Sequence, residues 1–361
     1  MEDILQYNFT IKSKIHDYSV EFIADVKATL TKELKKGDFI IIDNKVKFNY
    51  PEWFEEVLIN HNYIAIDASE PQKSYQEVEP VINSLIERGF RKNHRLIAVG
   101  GGITQDVTAF IASILYRGVQ WCFFPTTLLA QGDSCIGSKT SINFGKFKNQ
   151  VGGFYPPNKI YIEPKFLNSL PHKELQSGLG EMAHYFVVSG KHDFERYKND
   201  YEQALTDKKV LGGLIARSLE IKKSYIEIDE YDKKERQVFN YGHSFGHAIE
   251  SLTNYNIPHG IAISFGMDMS NFISMKKGYI TSDVRQNSKE LFEKIWNGYS
   301  DKVKGLDVDK FLEALTKDKK NKGFLLGLIL NKGYGKVFKD FTENDMKFRT
   351  WIEEYFTNEL N

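Results

Sequence analysis

Short apolar runs alternate with amphipathic stripes along the first part of the chain, to about residue 165. The runs 39–42 (FIII) and 63–66 (YIAI) are typical of buried strands, because they leave no polar face. Before the first run and after the second, apolar residues recur every three or four positions, which predicts one helix from Ser19 as N-cap to Gly37 as stop and another before Gly89. Strands that alternate with helices indicate an α/β domain with a parallel sheet.

Three glycines directly follow a further predicted strand. The apolar run 96–99 leads into 100–102 (GGG), and a helical pattern continues to about Tyr116. Glycine lets backbone N–H groups approach a pyrophosphate, and a helix N-terminus favours its negative charge. The spacing is not GxGxxG, so the residues alone leave two interpretations open: a dinucleotide site, or a tight turn without a ligand. Residues 121–124 (WCFF) are another apolar strand.

The pattern changes at about Ser169, where long helical stripes begin to dominate. They cover 171–189, 209–229, 240–253, 262–277 and 309–317. A chain of 361 residues suits two domains. We therefore predict a Rossmann-like α/β nucleotide-binding domain over 1–170 and a mostly α-helical, metal- and substrate-binding domain over 171–361, with the active site between them.

Composition narrows the function classes. The 48 basic residues balance the 48 acidic ones, so no global field favours nucleic acid or an anionic membrane. The N-terminus lacks the features of a secretory signal, and the apolar runs are too short for a membrane span. Cys122 and Cys135 are too few for a disulfide framework. These features predict a cytoplasmic protein without nucleic-acid or membrane partners.

Histidines supply the first candidate chemistry. His243 and His247 lie four apart in GHSFGH, so a helix places both on one face. His259 follows a break at 256–258, and Glu181 lies on a separate predicted helix. A carboxylate plus two imidazoles with an open fourth position is the composition of a catalytic zinc site. The alternative, that the histidines are polar core residues bonded to carbonyls, stays open on spacing alone.

Several cations stand in glycine-rich or apolar surroundings. They are Arg117, Lys139, Lys148, Lys222 and Arg236. An exposed, solvated charge is the default for each. Lys222 differs because its helical stripe is apolar, and as a set these cations suit a small molecule with two anionic groups.

The chain resembles the 3-dehydroquinate synthase family of sugar-phosphate cyclases. The resemblance extends from about Asp43 to Lys320 and rests on six segments in the family's order. They are LIAVGGGITQD, YRGVQWCFFPTTLLAQGDSCIGSKT, KNQVGGFYPP, FLNSLPHKELQSGLGEM, RQVFNYGHSFGHAIE and HGIAISFGM.

The resemblance implies a role for each matching position. A zinc or cobalt ion is bound by Glu181, His243 and His259. Substrate phosphate is bound by His247, Lys139 and Asn240, and by Arg117, which reaches into the neighbouring subunit of a homodimer. The substrate carboxylate is recognised by Lys222 and Arg236. Substrate hydroxyls or the nicotinamide are contacted by Asp133 and Asn149, and a late lysine that reaches the substrate matches Lys320. The NAD-binding positions are Asp43, Glu70, Lys73, Gly101, Gly102, Asp106, Thr126, Thr127, Lys148 and Ser169, the last where the family usually has Thr.

The resemblance also implies a reaction without net redox change. NAD oxidises a substrate carbinol whose oxygen the metal polarises, phosphate is eliminated, and the cofactor returns its hydride. Ring opening and an intramolecular aldol closure then give the carbocycle. The leaving phosphate itself accepts the proton in this family.

Several family positions are changed in this chain. The departures are His184 for a lysine, Ile261 and Asp232 for glutamates, Lys234 for a glycine, and Thr104-Gln105 for a hydrophobic-glycine pair. On a helix, Glu181 and His184 share a face. We expect His184 to contact the substrate or to support the site from outside the metal ligands.

The retained and changed family positions leave four candidate functions. The retained Lys222, Arg236 and Asn240 favour a substrate with a carboxylate, because burying an unpaired charge is unfavourable. This points to 3-deoxy-arabino-heptulosonate 7-phosphate and a lyase that makes 3-dehydroquinate. The alternatives are a cyclase of specialised metabolism acting on another sugar or aminosugar phosphate, an NAD-linked polyol dehydrogenase, and a non-catalytic paralogue.

Overall fold

A computed structural model describes residues 2–145, 147–318 and 320–360, and side chains from residue 5 onward. The chain divides into two compact units. The first is formed by the chain up to Leu170 together with Asp207–Tyr231. The second is formed by Pro171–Thr206 and the chain from Asp232 onward.

The strands and helices follow in chain order. The strands are β1 (Phe9–Ile11), β2 (Tyr18–Phe22), β3 (Phe39–Asp43), β4 (Asn62–Ile66), β5 (Leu96–Gly100), β6 (Trp121–Pro125), β7 (Ile142–Phe144), β8 (Phe147–Val151), β9 (Lys159–Ile162), β10 (Leu325–Asn331) and β11 (Val337–Glu343). The α-helices are α1 (Val26–Glu33), α2 (Asn44–Asn49), α3 (Pro51–Asn60), α4 (Tyr75–Glu87), α5 (Gly102–Ile114), α6 (His172–Ser189), α7 (Lys191–Ala204), α8 (Lys208–Ile226), α9 (His243–Leu252), α10 (His259–Lys276), α11 (Ser282–Ile295), α12 (Ser300–Val303), α13 (Val308–Thr316) and α14 (Met346–Glu354). Short 3₁₀ or π-helical segments lie at Glu2–Tyr7, Glu70–Lys73, Leu115–Arg117, Ala130–Ser134, Pro164–Ser169, Glu235–Asn240 and Tyr355–Glu359.

A seven-stranded sheet forms the centre of the first unit. Its strand order is β1-β2-β9-β6-β5-β3-β4, parallel throughout except for the antiparallel pair β1-β2. Every residue of β3, β5 and β6 is buried. Continuous apolar strands of this kind belong in a parallel sheet covered on both faces, so the predicted α/β fold is confirmed.

The predicted helix from Ser19 to Gly37 is wrong in its first part. Residues 18–22 form β2, whose side chains alternate between buried and half-buried. The helix α1 starts only at Val26, where the Asp25 carboxylate caps it by accepting the backbone N–H of Ala28 at 2.9 Å. The apolar residues of Tyr18–Phe22 alternate with polar ones, as in a strand. This alternation outweighed the overlapping spacing of three to four residues that predicted a helix.

The predicted division into 1–170 and 171–361 differs from the structure in one segment, because α8 belongs to the first unit. The Ser218 hydroxyl of α8 donates to the Gly132 carbonyl at 2.7 Å. Lys222, one turn further along α8, donates to the Asp133 carbonyl at 2.7 Å. These bonds satisfy carbonyls of the π-helical segment Ala130–Ser134 and attach α8 to it. In the second unit the antiparallel β10-β11 hairpin was not predicted.

Glycines allow α6, α9 and α10 of the second unit to pack backbone against backbone. A methyl group at Gly260 would overlap the carbonyl oxygen of Ser177 and lie 2.6 Å from the Glu181 nitrogen. A methyl group at Gly266 would overlap the carbonyl oxygen of Gly242. The overlapped atoms are backbone atoms, which cannot turn away as a flexible side chain can. The three helices therefore approach one another only where these side chains are absent.

We predict that Gly260→Ala separates α6 from α10. Overpacking of a close contact lowers stability by about 1–3 kcal/mol, and here the first element to shift is the backbone beside Glu181. Urea unfolding measures the loss. Gly153→Ala is the control, since nothing lies within 4 Å of a methyl group at that position. Equal stability of the two variants would contradict the packing argument.

Candidate active site

Glu181, His243 and His259 meet in the interior of the second unit. The Nε2 atom of His243 lies 3.3 Å from Oε1 of Glu181, and Nε2 of His259 lies 3.5 Å from Oε2. One ligand atom from each of the three residues lies within 4.8 Å of the others. The carboxylate is almost fully buried, whereas the histidines are partly accessible.

Each ligand comes from a different helix. Glu181 lies in the middle of α6, while His243 and His259 are the first residues of α9 and α10. Gly242, with φ of 83°, turns the chain into α9, and Pro258 precedes α10. The two helix starts therefore present their first side chains to the buried face of α6.

The arrangement fits a tetrahedral zinc site. Zinc binds imidazole nitrogen and carboxylate oxygen at about 2.0–2.1 Å, so two ligand atoms of a tetrahedral site lie roughly 3.3–3.4 Å apart. The His243–Glu181 and His259–Glu181 distances of 3.3 and 3.5 Å, which end on different oxygens of the carboxylate, are close to that edge. Three protein ligands leave one position for a substrate oxygen.

Electrostatics keep the carboxylate charged. Burial opposes the ionisation of Glu181, but the imidazoles of His243, His259 and His184 together hold its pKa well below the ordinary value. A deprotonated carboxylate is the form that binds a metal ion. The group is therefore ready to accept a divalent cation at neutral pH.

The far ring nitrogens of both ligand histidines face acceptors. His259 Nδ1 lies 3.1 Å from Oε1 of Glu250, and His243 Nδ1 lies 3.3 Å from the Tyr241 carbonyl. With a metal ion bound, a proton on each Nδ1 would leave the lone pair of each Nε2 to bind the ion. Burial opposes ionisation of Glu250, but the bond from His259 and the nearby imidazoles leave its pKa below the ordinary value.

A second group of candidate ligand atoms overlaps the first. It consists of His247, Glu250 and His259, and it shares His259 with the first group. His247 is exposed, and its ring lies 5.5 Å from that of His243 and 5.7 Å from that of His259. Its accessible position suits contact with a ligand that arrives from solvent.

His184 lies beside the first group. It is 1% exposed, and its Nδ1 lies 3.8 Å from Oε1 of Glu181. Its ring packs against Tyr185 and Phe239. Among the described residues it falls outside both groups of candidate metal ligands. That His184 contacts the substrate or supports the site from outside the metal ligands stays a prediction.

Three further predicted residues surround α9 in the second unit. Lys320 pairs with Asp318 at 2.7 Å, and Asp318 accepts the hydroxyl of Ser244 on α9 at 2.9 Å. Arg236 is buried and Asn240 half-buried in the 3₁₀ segment that leads into α9. The short segment fixes both residues close to the start of the helix that carries the histidines.

The first unit holds the other predicted substrate contacts. Lys222 is buried and pairs with Asp133 at 2.7 Å. Lys139 and Asn149 are exposed. Arg117 is also exposed and adopts a left-handed conformation with φ of 65°. The Lys222–Asp133 pair shows why a lysine in an apolar stripe is tolerated: its charge is matched inside the unit.

The predicted NAD positions gather at the carboxyl ends of adjacent parallel strands β6, β5, β3 and β4. Each set directly follows its strand: Thr126 and Thr127 after β6, Gly101 and Gly102 after β5, Asp43 at the end of β3, and Glu70 and Lys73 after β4. Ligands of open α/β sheets bind at this edge.

The glycine turn after β5 fits a close backbone approach. Gly101 stands at the N-cap of α5, and a methyl group there would lie 2.8 Å from Thr127 Cγ2. The free N–H groups of the first turn of α5 are a site for phosphate. Lys73 pairs with Asp106 of α5 at 2.5 Å. Burial raises the pKa of Asp106 to about 6 against the opposing effect of Lys73.

Lys148 and Ser169 are the NAD positions nearer the surface of the first unit, whereas Asp43 is buried. Lys148 lies on the exposed strand β8, and Ser169 is exposed, with its backbone N–H bonded to the Tyr50 hydroxyl at 3.2 Å. Asp43 caps α2 by accepting the Lys45 N–H at 2.9 Å, and burial raises its pKa.

Sequence reasoning missed two polar residues that organise these sites. Glu250 was part of a quoted segment, and its place three residues after His247 on one helix face was the available signal. The second residue is Asn143 of β7, which bonds Glu70 and Asn149. Nothing in the sequence indicated it, because these contacts depend on the fold of the β7-β8 hairpin.

No helix within residues 2–145, 147–318 and 320–360 is both long and apolar enough to cross a membrane. The cytoplasmic location stays a prediction.

Comparisons with known proteins give a consistent result. Residues 63–177 match the 3-dehydroquinate synthase N-terminal family, and residues 178–321 match the 3-dehydroquinate synthase C-terminal family. A 3-dehydroquinate synthase of Alkaliphilus metalliredigens (strain QYMF) is 34% identical over 315 residues, which cover 86% of this chain and 88% of that protein.

Two solved structures share the fold. A 2-deoxy-scyllo-inosose synthase complexed with carbaglucose-6-phosphate, NAD⁺ and Co²⁺ has a TM-score of 0.81 at 23% identity, covering 97% of this chain and 99% of that one. A 2-epi-5-epi-valiolone synthase from Streptomyces hygroscopicus subsp. jinggangensis 5008, with NAD⁺ and Zn²⁺ bound, has a TM-score of 0.80 at 23% identity, covering 95% and 96%.

We predict that His259→Ala and Glu181→Gln each abolish stoichiometric zinc binding. Loss of a direct ligand should weaken binding by more than the roughly 10–100-fold that loss of a supporting group causes. Competition with a chromogenic chelator measures the affinity. His192→Ala, which removes an exposed histidine of the second unit, should bind as the unaltered protein does. Retained zinc in both site variants would contradict the ligand set.

We predict that Glu250→Ala lowers zinc affinity by about 10–100-fold, because His259 loses the acceptor that orients its ring. Glu250→Gln keeps an oxygen acceptor and should lose less. The same chelator competition ranks the three proteins. Unaltered affinity in Glu250→Ala would show that the bond to His259 does not support the site.

Proposed function

The chain belongs to the 3-dehydroquinate synthase family, and from this premise we propose that it converts 3-deoxy-arabino-heptulosonate 7-phosphate to 3-dehydroquinate with release of inorganic phosphate. The observation that carries the proposal is the convergence of Glu181, His243 and His259, with one ligand atom of each within 4.8 Å of the others, in a chain of this family. The enzyme is a lyase of the sugar-phosphate cyclase type.

NAD and a divalent metal, zinc or cobalt, are the proposed cofactors. When bound, they supply a reversible oxidation of the substrate carbinol and a Lewis acid for its oxygen. Two proteins of the same fold carry NAD⁺ with Co²⁺ or Zn²⁺, which supports the assignment. Glu181, His243 and His259 would hold the metal, and the residues after β6, β5, β3 and β4 would hold NAD.

Lys222 and Arg236 are the proposed contacts to the substrate carboxylate. Both are buried, and a buried cation is stable only where it is paired. Arginine and lysine bonds to a carboxylate are charge-assisted and direct the bound molecule as well as hold it. Lys222 already has such a partner in Asp133, so it is the retention of both cations, and not their burial, that favours the heptulosonate over sugar phosphates without a carboxylate.

His247, Lys139 and Asn240 are the proposed phosphate contacts, and Lys320 a further substrate contact. They supply two cations, an imidazole and an amide around an anionic leaving group. Since the leaving phosphate accepts the substrate proton, these residues need only orient it, and no separate protein base is required. Asp133 and Asn149 are proposed to contact substrate hydroxyls or the nicotinamide.

A second candidate is a cyclase that acts on another sugar or aminosugar phosphate. The observation that favours it is His184, a buried imidazole 3.8 Å from the carboxylate of Glu181 where the family usually has lysine. Ile261, in place of a glutamate, is fully buried and so offers no polar group to a substrate.

We predict that the purified protein with zinc, NAD and the heptulosonate phosphate releases inorganic phosphate without net formation of NADH. Sedoheptulose 7-phosphate and glucose 6-phosphate should react poorly. Lys222→Met should lower kcat/KM for the heptulosonate by roughly 10–100-fold, the effect of losing a hydrogen bond between charged groups. The neighbouring, partly exposed Lys223→Met is the control.

The outcomes separate the candidate functions. Preference for another sugar phosphate would select the second candidate. Accumulating NADH with a simple polyol would indicate a dehydrogenase. A protein that binds zinc and NAD but turns over no substrate would contradict the proposal.

We further propose a homodimer in which Arg117 contributes to the neighbouring copy. Its exposure and left-handed backbone suit a side chain that serves another chain. Light scattering should give twice the mass of one chain. A mixture of two inactive variants, Arg117→Ala and His259→Ala, should regain partial activity, and a monomeric, active protein would contradict this arrangement.

A further inference from the structure

Asn143 of β7 links two parts of the first unit. Its Nδ2 donates to Oε1 of Glu70 at 2.8 Å, and its Oδ1 accepts the backbone N–H of Asn149 at 2.9 Å. Asn143 is 7% exposed, whereas Glu70 and Asn149 are exposed. A buried amide thus connects two surface positions.

The partners fix the orientation of the amide. An ionised carboxylate only accepts hydrogen bonds, and a backbone N–H only donates them, so the NH₂ group must face Glu70 and the oxygen must face Asn149. A backbone bridge between Ser74 and Asn143 attaches the hairpin to the segment after Glu70–Lys73. The rings of Tyr75 and Phe144 add an edge-to-face contact at 6.1 Å.

The backbone of β8 at Lys148–Asn149 depends on this link. Asn149 adopts a left-handed conformation with φ of 54°, which asparagine tolerates better than most residues. The bond from its N–H to Asn143 stabilises that conformation. The position of the neighbouring Lys148 on the exposed strand β8 follows from it.

We propose that Asn143 is a positioning residue that links Glu70 to the Lys148–Asn149 segment of β8, so that one buried amide holds both in place for NAD. The inference rests on the proposed function, which assigns Glu70 and Lys148 to NAD. Acidic residues that follow strands of such sheets bind ribose hydroxyls. Asn143 holds that carboxylate while leaving its second oxygen for the ligand.

Isothermal titration with NAD, in the absence of substrate, tests the coupling. Asn143→Ala should raise the dissociation constant about tenfold, as expected for loss of a hydrogen bond to a charged group. Because Asn143 acts partly through Glu70 and partly through the Lys148–Asn149 segment, the double variant Asn143→Ala/Glu70→Ala should bind NAD more tightly than the sum of the two single effects predicts.

Asn143→Asp separates the two contacts. Aspartate keeps an acceptor for the Asn149 N–H but places a second carboxylate against Glu70, so NAD binding should weaken at least as much as in Asn143→Ala, and more strongly at low salt. Gln150→Ala is the matched control, since Gln150 lies exposed on the same hairpin and bonds only locally to the Lys148 carbonyl. It should bind NAD as the unaltered protein does.

The result also distinguishes this inference from the proposed function. If the unaltered protein binds NAD and releases phosphate but Asn143→Ala binds NAD equally well, the inference is overturned and the function stands. Reduced stability with unaltered NAD affinity, or additive effects in the double variant, would equally overturn it. Failure of the unaltered protein to bind NAD would overturn both.

Discussion

The close packing of α6, α9 and α10 is the constraint on which the candidate site depends. Glycines at 242, 260 and 266 let these helices touch through their backbones, and a single methyl group at 260 or 266 would overlap a carbonyl oxygen. Helices packed through ordinary side chains have axes about 8–10 Å apart. At that separation the side chains of Glu181, His243 and His259 would not lie so close together. The metal-ligand spacing is thus a property of the backbone.

Nearby charges explain why an ionised carboxylate can be buried among these closely packed helices. Glu181 is buried, which alone would favour its neutral form, yet imidazoles on two sides keep it ionised. Glu250 then orients His259 from the opposite side of the ring. In the first unit the buried Lys222 is matched by Asp133 in the same way. These two buried charges each have partners within their own unit, as buried charges require.

The sequence predicted the features that short-range patterns encode. Apolar runs located the central strands β3 to β6, and helical stripes located α6, α8, α9, α10 and α13 to within a few residues. Period alone failed at 18–22, where five alternating residues overlapped a helical pattern. The β10-β11 hairpin and the membership of α8 were missed because they depend on long-range pairing, which spacing does not report.

The candidate site shows the same division. Spacing grouped His243 with His247, but the structure groups His243 with Glu181 and His259, as the family resemblance implied. Glu250 contacts His259 of the next helix and Asn143 contacts Glu70 of a separate segment, so composition identified neither, although the spacing of Glu250 from His247 was an available signal. The sequence shows glycines next to Glu181 and His259. That they let the helices pack backbone against backbone follows only from the contacts between the helices.

Anomalous diffraction at the zinc edge from crystals grown with zinc and NAD tests the central claim most directly. The account predicts one strong peak per chain, bonded to Oε1 or Oε2 of Glu181 and to Nε2 of His243 and His259. A peak bonded instead to His247, Glu250 and His259, or to His184, would contradict it.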